Sequence, residues 1–486
     1  MTSSSPTVAA HPLAHGVADP ADAFAGADYK DRVSRALERL QGQFANRMSV
    51  SAAVREQHGR GEGLAQAHVP DAVVWPSSTA EVQQILRVCH ELIVPVIAYG
   101  AGTSLEGHVT APYGGVCVDL SRMDQVLEVH AGDADCVVQP GVTREGLNAY
   151  LRDTGMFFPI DPGANATLGG MISTRASGTT TVRYGTIAHN VLALEVVLAN
   201  GEVIRCGRRV RKSSAGYDLV RLFTGAEGTL GIITEATLRL HGQPEAIGSG
   251  VCSFADLRNA VESVIELMQS GTPLARMEFL DDVQVRASNA YSKLSLPEQP
   301  TLFLEFHGTA QSVKEQCERA EEICKSNGAG RIEWAFDDQR RAALWKARHG
   351  AYFAGRAFRP GTDCIVADVC VPISGLAECV ASTRAAIDRN GLTAPIVGHV
   401  GDGNFHVLFL LDPADPGERE RVDRVYDEMI DHAHRLGGTC TGEHGIGIGK
   451  REKLIAEFGE PVVELMRQLK RVYDPLGILN PGKIFA

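Results

Sequence analysis

The sequence predicts an α+β fold in two large parts, and three observations carry that expectation. From Pro70 short apolar strands alternate with helices and Gly-rich turns. From about Gly250 the pattern changes to longer helices between strands. At 486 residues the chain also exceeds what one hydrophobic core usually organises.

Taken in order, Tyr29 to Arg55 has helical spacing, and the run REQHGRGEG then breaks it as an entry linker ending near Gly63. The first large part follows with DAVVWP, a helix from Ser78 to Glu91, VPVIAYG, GGVCVDLS and DCVVQPG. It closes near Leu240, after the pair EVVLANGEVIRCG with its Asn-Gly turn and the run GTLGIITEATLRL. The second part contains ARMEFLD, TLFLEFHG, CIVADVCVP and a hairpin, and it reads as one sheet with helices on one face. Its helices meet glycine stops at Gly328, Gly391 and Gly437. A helix from Val462 to Val472 and the turn-rich tail DPLGILNPGKIFA end the chain. The expected divisions are 1–68, 69–243, 244–470 and 471–486.

Composition removes several function classes. With 47 basic against 59 acidic residues the net charge is −12, and no basic groove is expected, so nucleic acid is not a predicted partner. Eleven cysteines without a CxxC pair argue against a zinc ribbon or an iron–sulfur cluster and read as reduced buried thiols. The first thirty residues carry no Lys or Arg before Lys30 and no apolar run, unlike a signal or transit peptide. No apolar stretch approaches the roughly 20 residues that span a bilayer. The expected location is therefore cytoplasmic; peripheral membrane contact and a homodimer stay open.

The most informative run is GHVGDGNFH. An Asp-Gly turn there predicts a β-hairpin in which Val400 faces Phe405 and His399 faces His406. Directly opposed residues share a face with Cβ atoms roughly 4.5–5.5 Å apart, near enough for two imidazoles to hold one metal ion. A cross-strand pair satisfied by core hydrogen bonds is the alternative. Downstream, GEHGIG adds Glu443 and His444, and the four residues together suggest a metal site with a base beside it.

VPVIAYGAGTSLEGH runs from a strand into a loop able to present several N–H groups to an anion. A dinucleotide fingerprint would need glycine where Leu105 stands, and a P-loop would need lysine where His108 stands. Both standard motifs fail, and a plain turn is the competing reading.

Three more runs, FPIDPGANATLGGMISTRASG, VRYGT and GYDLVRLFTGAEGTLGIIT, share this mix of small and hydroxyl residues after strands. Together with the first loop they resemble the FAD-binding domain of the vanillyl-alcohol-oxidase-type flavoproteins. GHVGDGNFH, GEHGIG and LNPGKIF are similar to the FAD-linked oxidase C-terminal domain. The resemblance spans roughly Pro70 to Phe485. It implies a two-subdomain FAD-binding domain of the PCMH type, then an α+β domain with a largely antiparallel sheet and helices. Within the superfamily the chain resembles the branch of D-lactate dehydrogenases, glycolate oxidase flavin subunits and D-2-hydroxyglutarate dehydrogenases. GAGTSLEGH and DVCVP look most like the cytochrome-linked D-lactate kind.

By this resemblance FAD is bound noncovalently. Tyr99, Gly100, Ala101, Gly102, Thr103, Ser104, Leu105 and Gly107 wrap its pyrophosphate. Pro162, Gly163, Ala164, Thr167, Gly169, Gly170 and Ser177 line the flavin, and Glu227, Gly228 and Ile233 hold the adenosine end. Thr180 stands where the family has Asn. Asn480 and Lys483, in NPGK, either return the tail to the flavin or, equally well, form a helix-terminating turn. The implied reaction is oxidation of a small 2-hydroxy acid by proton removal from the hydroxyl and hydride transfer to flavin N5. His399, His406 and Glu443 would hold zinc or manganese, with His444 as base and Arg348 on the substrate carboxylate. Val366 stands where dehydrogenases of 2-hydroxyglutarate place lysine, which modestly favours D-lactate, with Arg356 and Arg359 near enough in sequence to serve a distal carboxylate instead. The acceptor would be cytochrome c or a quinone. Two alternatives stay open: a glycolate oxidase flavin subunit needing an iron–sulfur partner, and a flavin electron-transfer module without substrate chemistry.

Overall fold

The computed structural model describes residues 23–63 and 67–485. Much of the expected N-terminal tail, residues 1–22, lies outside the described residues.

The predicted helix from Tyr29 to Arg55 is two helices. Gly26–Phe44 stops at Ala45, whose φ is +44°, and Ala52–His58 follows a two-residue strand, Met48–Ser49. Tyr29, Val33, Ala36, Leu40 and Phe44 form the buried stripe of the first helix. Helical spacing yields at residue 48 because Met48 pairs antiparallel with Val74 and closes the edge of the first sheet. That sheet continues through Ala72–Val74, Val116–Asp119 and Val96–Tyr99, with the last three strands parallel. The Gly-rich run is not a free linker. A Cβ at Gly63 would overlap the Leu105 carbonyl, so this segment lies directly on the first glycine loop.

A second sheet is antiparallel, ordered Val126–His130, Asp135–Val138, Ile232–Arg239, Val191–Val197, Val203–Gly207. Each of these two sheets has its own buried cluster, and the glycine loop starts directly after the first sheet's strand Val96–Tyr99. The tail returns to the first: Val96 N donates to Ile478 O at 2.8 Å and Asn480 N donates to Val96 O at 2.8 Å.

The third sheet has seven strands, all paired antiparallel, in the order Glu333–Ala335, Ala246–Ser253, Thr301–Gly308, Leu274–Leu280, Ile396–His399, Asn404–Leu411, Asp363–Cys370. Helices Leu257–Gln269, Ala310–Ser326, Leu376–Arg389 and Pro416–Arg435 bury one face against Phe279, Leu304, Phe405 and Phe409. The three expected glycine stops, Gly328, Gly391 and Gly437, lie just past helix ends with φ of +81°, +61° and +79°. The expectation of helices on one face only needs correcting. Asp282–Ser292, Asp338–His349 and Ala351–Ala357 cover part of the other face, where Leu280, Val397 and Leu408 pack with Trp345.

Candidate functional site

The hairpin register differs from the predicted one. Residues Val400–Asp402 form a tight 3-10 turn and Gly403 takes φ +77°, so His399 faces Asn404 and His406 faces Val397. Val397 and His399 are two residues apart on one strand, so both imidazoles still share a face, as diagonal neighbours. Their ring centroids are 5.3 Å apart. On the adjoining strand Phe279 pairs with Gly398, which brings Glu278 beside His399. On the other side Asp368 pairs with His406 and Val366 with Leu408.

Glu443 lies over this row. Its Oε1 is 3.4 Å from His399 Nε2, 3.3 Å from His406 Nε2 and 3.9 Å from His444 Nε2. Its other oxygen accepts from Ser177 Oγ at 2.5 Å. The ligand atoms of His399, His406 and Glu443 all lie within 4.8 Å of one another, a spacing one divalent ion can bridge. Each Nδ1 on the far side of these rings looks to a second carboxylate. His399 Nδ1 is 2.9 Å from Glu278 Oε1, and His406 Nδ1 is 3.4 Å from Asp368 Oδ1. This is the support a metal-binding histidine uses to fix its ring.

Glu278 and Asp368 are fully buried and were not singled out from the sequence. The readable signal was an acidic residue inside each of two apolar strands, where a lone charge is costly unless paired. Glu278 also accepts from Arg348 Nε at 2.6 Å. Asp368 Oδ2 accepts from the backbone N–H of Gly442, Glu443 and His444 at 2.8, 3.0 and 3.2 Å and from Thr441 Oγ1 at 3.0 Å. One carboxylate thus folds the GEH turn onto the sheet.

These neighbours set the protonation states. Burial pushes His444 down to about 4, a shift that nearby Asp368 only partly offsets, so this ring is neutral at pH 7. Burial works the same way on His399, but Glu278 and Glu443 outweigh it and hold that imidazole well above its ordinary value. Glu443 is held well below the usual carboxylate range by His399 and His406, again against burial.

The histidine row forms one wall of a cavity of about 720 Å³, within the range of ligand pockets. Tyr99 through Leu105, Pro162, Gly163, Ala164, Thr167, Gly169, Gly170, Ser177, Glu227, Gly228, Ile233 and Asn480 line the rest, together with Arg348 and His444. Gly107 does not line it; with φ +80° it turns the chain behind the loop. Thr180 points elsewhere, donating to Pro159 O at 2.5 Å. A Cβ at Gly100 would overlap Thr167 Oγ1, and Gly102 takes φ +71°, so the loop packs its bare backbone against the cavity. Ser104 Oγ and Thr167 Oγ1 are buried there without a protein partner, which suits a ligand rich in acceptors.

The flavin-type loop and the GEH turn are tied together. Ile446 N and Gly447 N donate to the two Glu227 oxygens at 2.7 and 2.8 Å, and Ile448 N donates to Glu106 O at 2.8 Å. Lys450, 1% exposed, sits 3.2 Å from Glu106 Oε1 and 3.9 Å from Asp368 Oδ2.

Comparison with known proteins bears on this arrangement. Residues 243–484 match the family of FAD linked oxidases, C-terminal domain, and residues 70–207 match an FAD binding domain. The chain is 51% identical over 457 residues to a probable D-lactate dehydrogenase, mitochondrial, of Danio rerio, covering 92% of each. It is 40% identical to the D-lactate dehydrogenase [cytochrome], mitochondrial, of Arabidopsis thaliana, covering 96% of this chain and 83% of that one. The fold is similar to substrate-bound p-cresol methylhydroxylase, with TM-score 0.78, 21% identity and coverage of 94% and 97%. Both relatives are named as mitochondrial, which overturns the cytoplasmic expectation. That expectation rested on the composition of a short segment, whereas an organelle address is read by a receptor and leaves no mark on the folded body. Among the described residues no helix is long and apolar enough to cross a membrane.

Proposed function

The chain belongs to the FAD-linked oxidases, as a flavin-dependent 2-hydroxy-acid dehydrogenase, and we propose that it oxidises D-lactate to pyruvate with zinc or manganese held by His399, His406 and Glu443. The observation that carries this reading is the convergence of those groups with Arg348 and His444 on one wall of the cavity. Three buried or half-buried carboxylates, Glu278, Asp368 and Glu443, surround the imidazoles and favour a cation among them. We read 69–243 as the flavin domain, 244–470 as the substrate and metal domain, and 471–486 as the tail returning to the flavin.

FAD supplies the acceptor for the two electrons that leave the substrate. A divalent ion held by His399, His406 and Glu443 would supply Lewis-acid polarisation of the substrate. The protein's own side chains do the rest. Arg348 binds the carboxylate through a guanidinium that Glu278 keeps in place. His444, neutral at pH 7, takes the hydroxyl proton on Nε2, the ring nitrogen facing Glu443. Val366, Val397 and Leu408 line the substrate end, exclude water and suit a methyl group better than a second carboxylate. The name of the Arabidopsis relative supports a cytochrome as electron acceptor.

Anaerobic addition of D-lactate, L-lactate, glycolate and D-2-hydroxyglutarate to the purified flavoprotein tests this. Flavin absorbance should bleach fastest with D-lactate, and bleaching with none of the four would sink the proposal. Preference for glycolate would favour the glycolate oxidase reading instead.

A further inference from the structure

Ligand-type side chains also meet outside the cavity. His434 lies near the end of helix Pro416–Arg435, Cys440 in the turn beyond it, and Glu457 near the end of helix Arg451–Phe458. Their imidazole, thiol and carboxylate atoms all lie within 4.8 Å of one another. His434 Nε2 is 3.3 Å from Glu457 Oε2, about the separation of two N and O ligands at tetrahedral angles around zinc. Among the described residues Cys440 is the one cysteine in such a group.

The cluster is held in position before any ion arrives. Glu457 Oε2 accepts from Cys440 N at 2.8 Å and from Thr439 Oγ1 at 3.0 Å, which fixes the carboxylate against the turn. Cys440 is 1% exposed at the bottom, while the His434 and Glu457 side chains are 19% and 13% exposed above it. An ion therefore reaches the thiol from solvent past the imidazole and the carboxylate. A soft thiolate with imidazole and carboxylate suits Zn²⁺ or Cd²⁺ rather than Mg²⁺ or Ca²⁺.

We propose that His434, Cys440 and Glu457 form a second metal site, for a soft divalent ion, that acts on turnover from outside the cavity. Binding displaces the thiol proton to solvent. The turn then continues through Thr441 and Gly442, both bonded to Asp368, directly into Glu443 and His444. Drawing the Cys440 sulfur onto an ion shifts the start of a turn whose far end carries a cavity ligand and the base, so occupancy slows turnover. The binding itself does not depend on the reading of the cavity; only its effect on turnover does.

Cadmium titration of the purified FAD-loaded protein tests the site, read by the ultraviolet thiolate-to-cadmium charge-transfer band. His399, His406 and Glu443 contain no thiol and cannot produce that band. One equivalent of Cd²⁺ should saturate it in His399→Ala, the wild type should reach the same final amplitude, and it should vanish in Cys440→Ser. In His434→Ala and Glu457→Gln the affinity should fall by more than the roughly 10–100-fold that loss of a supporting hydrogen bond costs. No band in the wild type, or one that survives Cys440→Ser, overturns the site. If Cys440→Ser does not retain FAD, unchanged Cd²⁺ affinity in both remaining variants overturns it equally. Zn²⁺ should inhibit the wild type at concentrations that leave Cys440→Ser active, and equal inhibition of the two overturns the link to turnover.

Discussion

Glu278 and Arg348 are joined at 2.6 Å, and the other oxygen of the same buried carboxylate faces His399 Nδ1 at 2.9 Å. One side chain thereby positions both the proposed substrate anchor and a proposed metal ligand. Glu278→Gln should leave FAD bound but raise the KM for D-lactate at least about tenfold. It should also cost about 3–5 kcal/mol of stability, because a partner of a buried charge is removed. Steady-state kinetics and thermal unfolding of the flavoprotein check both.

His399→Ala should give a yellow, FAD-bound protein without the cavity metal. A Lewis acid contributes several kcal/mol to the transition state, so kcat/KM should fall by about a thousandfold or more. Elemental analysis beside the flavin spectrum measures metal and cofactor separately. Full activity in metal-free protein would count against the ligand set.

Val366 pairs with Leu408 in the apolar part of the cavity wall. Val366→Lys should place a cation where a longer diacid would put its second carboxylate. The ratio of kcat/KM for D-2-hydroxyglutarate over D-lactate should rise by at least about tenfold, or 1.4 kcal/mol. An unchanged ratio would show that this position does not meet the substrate.

Lys483 donates to Thr110 O at 2.7 Å and Asn480 Oδ1 at 2.9 Å, and burial pushes its pKa down to about 7. The unfolded chain, with a lysine pKa of roughly 10.4, binds this proton more tightly than the folded protein. The resulting destabilisation is fully present below pH 7 and is relieved as pH rises from 7 towards about 10. Stability should therefore increase over that window by up to about 4 kcal/mol, and Lys483→Met should flatten the rise. Urea unfolding midpoints of both proteins across pH 7 to 10 provide the comparison.

Some of this was legible in local pattern. The Gly-Asp-Gly turn between two apolar strands marks a hairpin, and two histidines near its ends put imidazoles on one face even though the register is two residues off, an even shift that preserves the face. Leu105 and His108 ruled out two standard nucleotide loops without the structure. What the residues 59–63 do was not legible, because a glycine run reads as a break whether it floats or lies on Leu105. The first helix is also shorter than its spacing predicts, since the pull on Met48 comes from Val74, far along the chain.

By itself the sequence determined the α+β class, several strands and helix ends of both large parts, and the residue types that suit a metal, a base and a flavin. Periodicity and turn chemistry act over a few residues, so they are written locally. Only the tertiary structure decided that Glu278 supports His399, that Asp368 folds the GEH turn, and that Ser177 meets Glu443 across 266 positions. Buried charges must find partners, and which partners they find depends on how three sheets pack around one cavity rather than on any spacing along the chain.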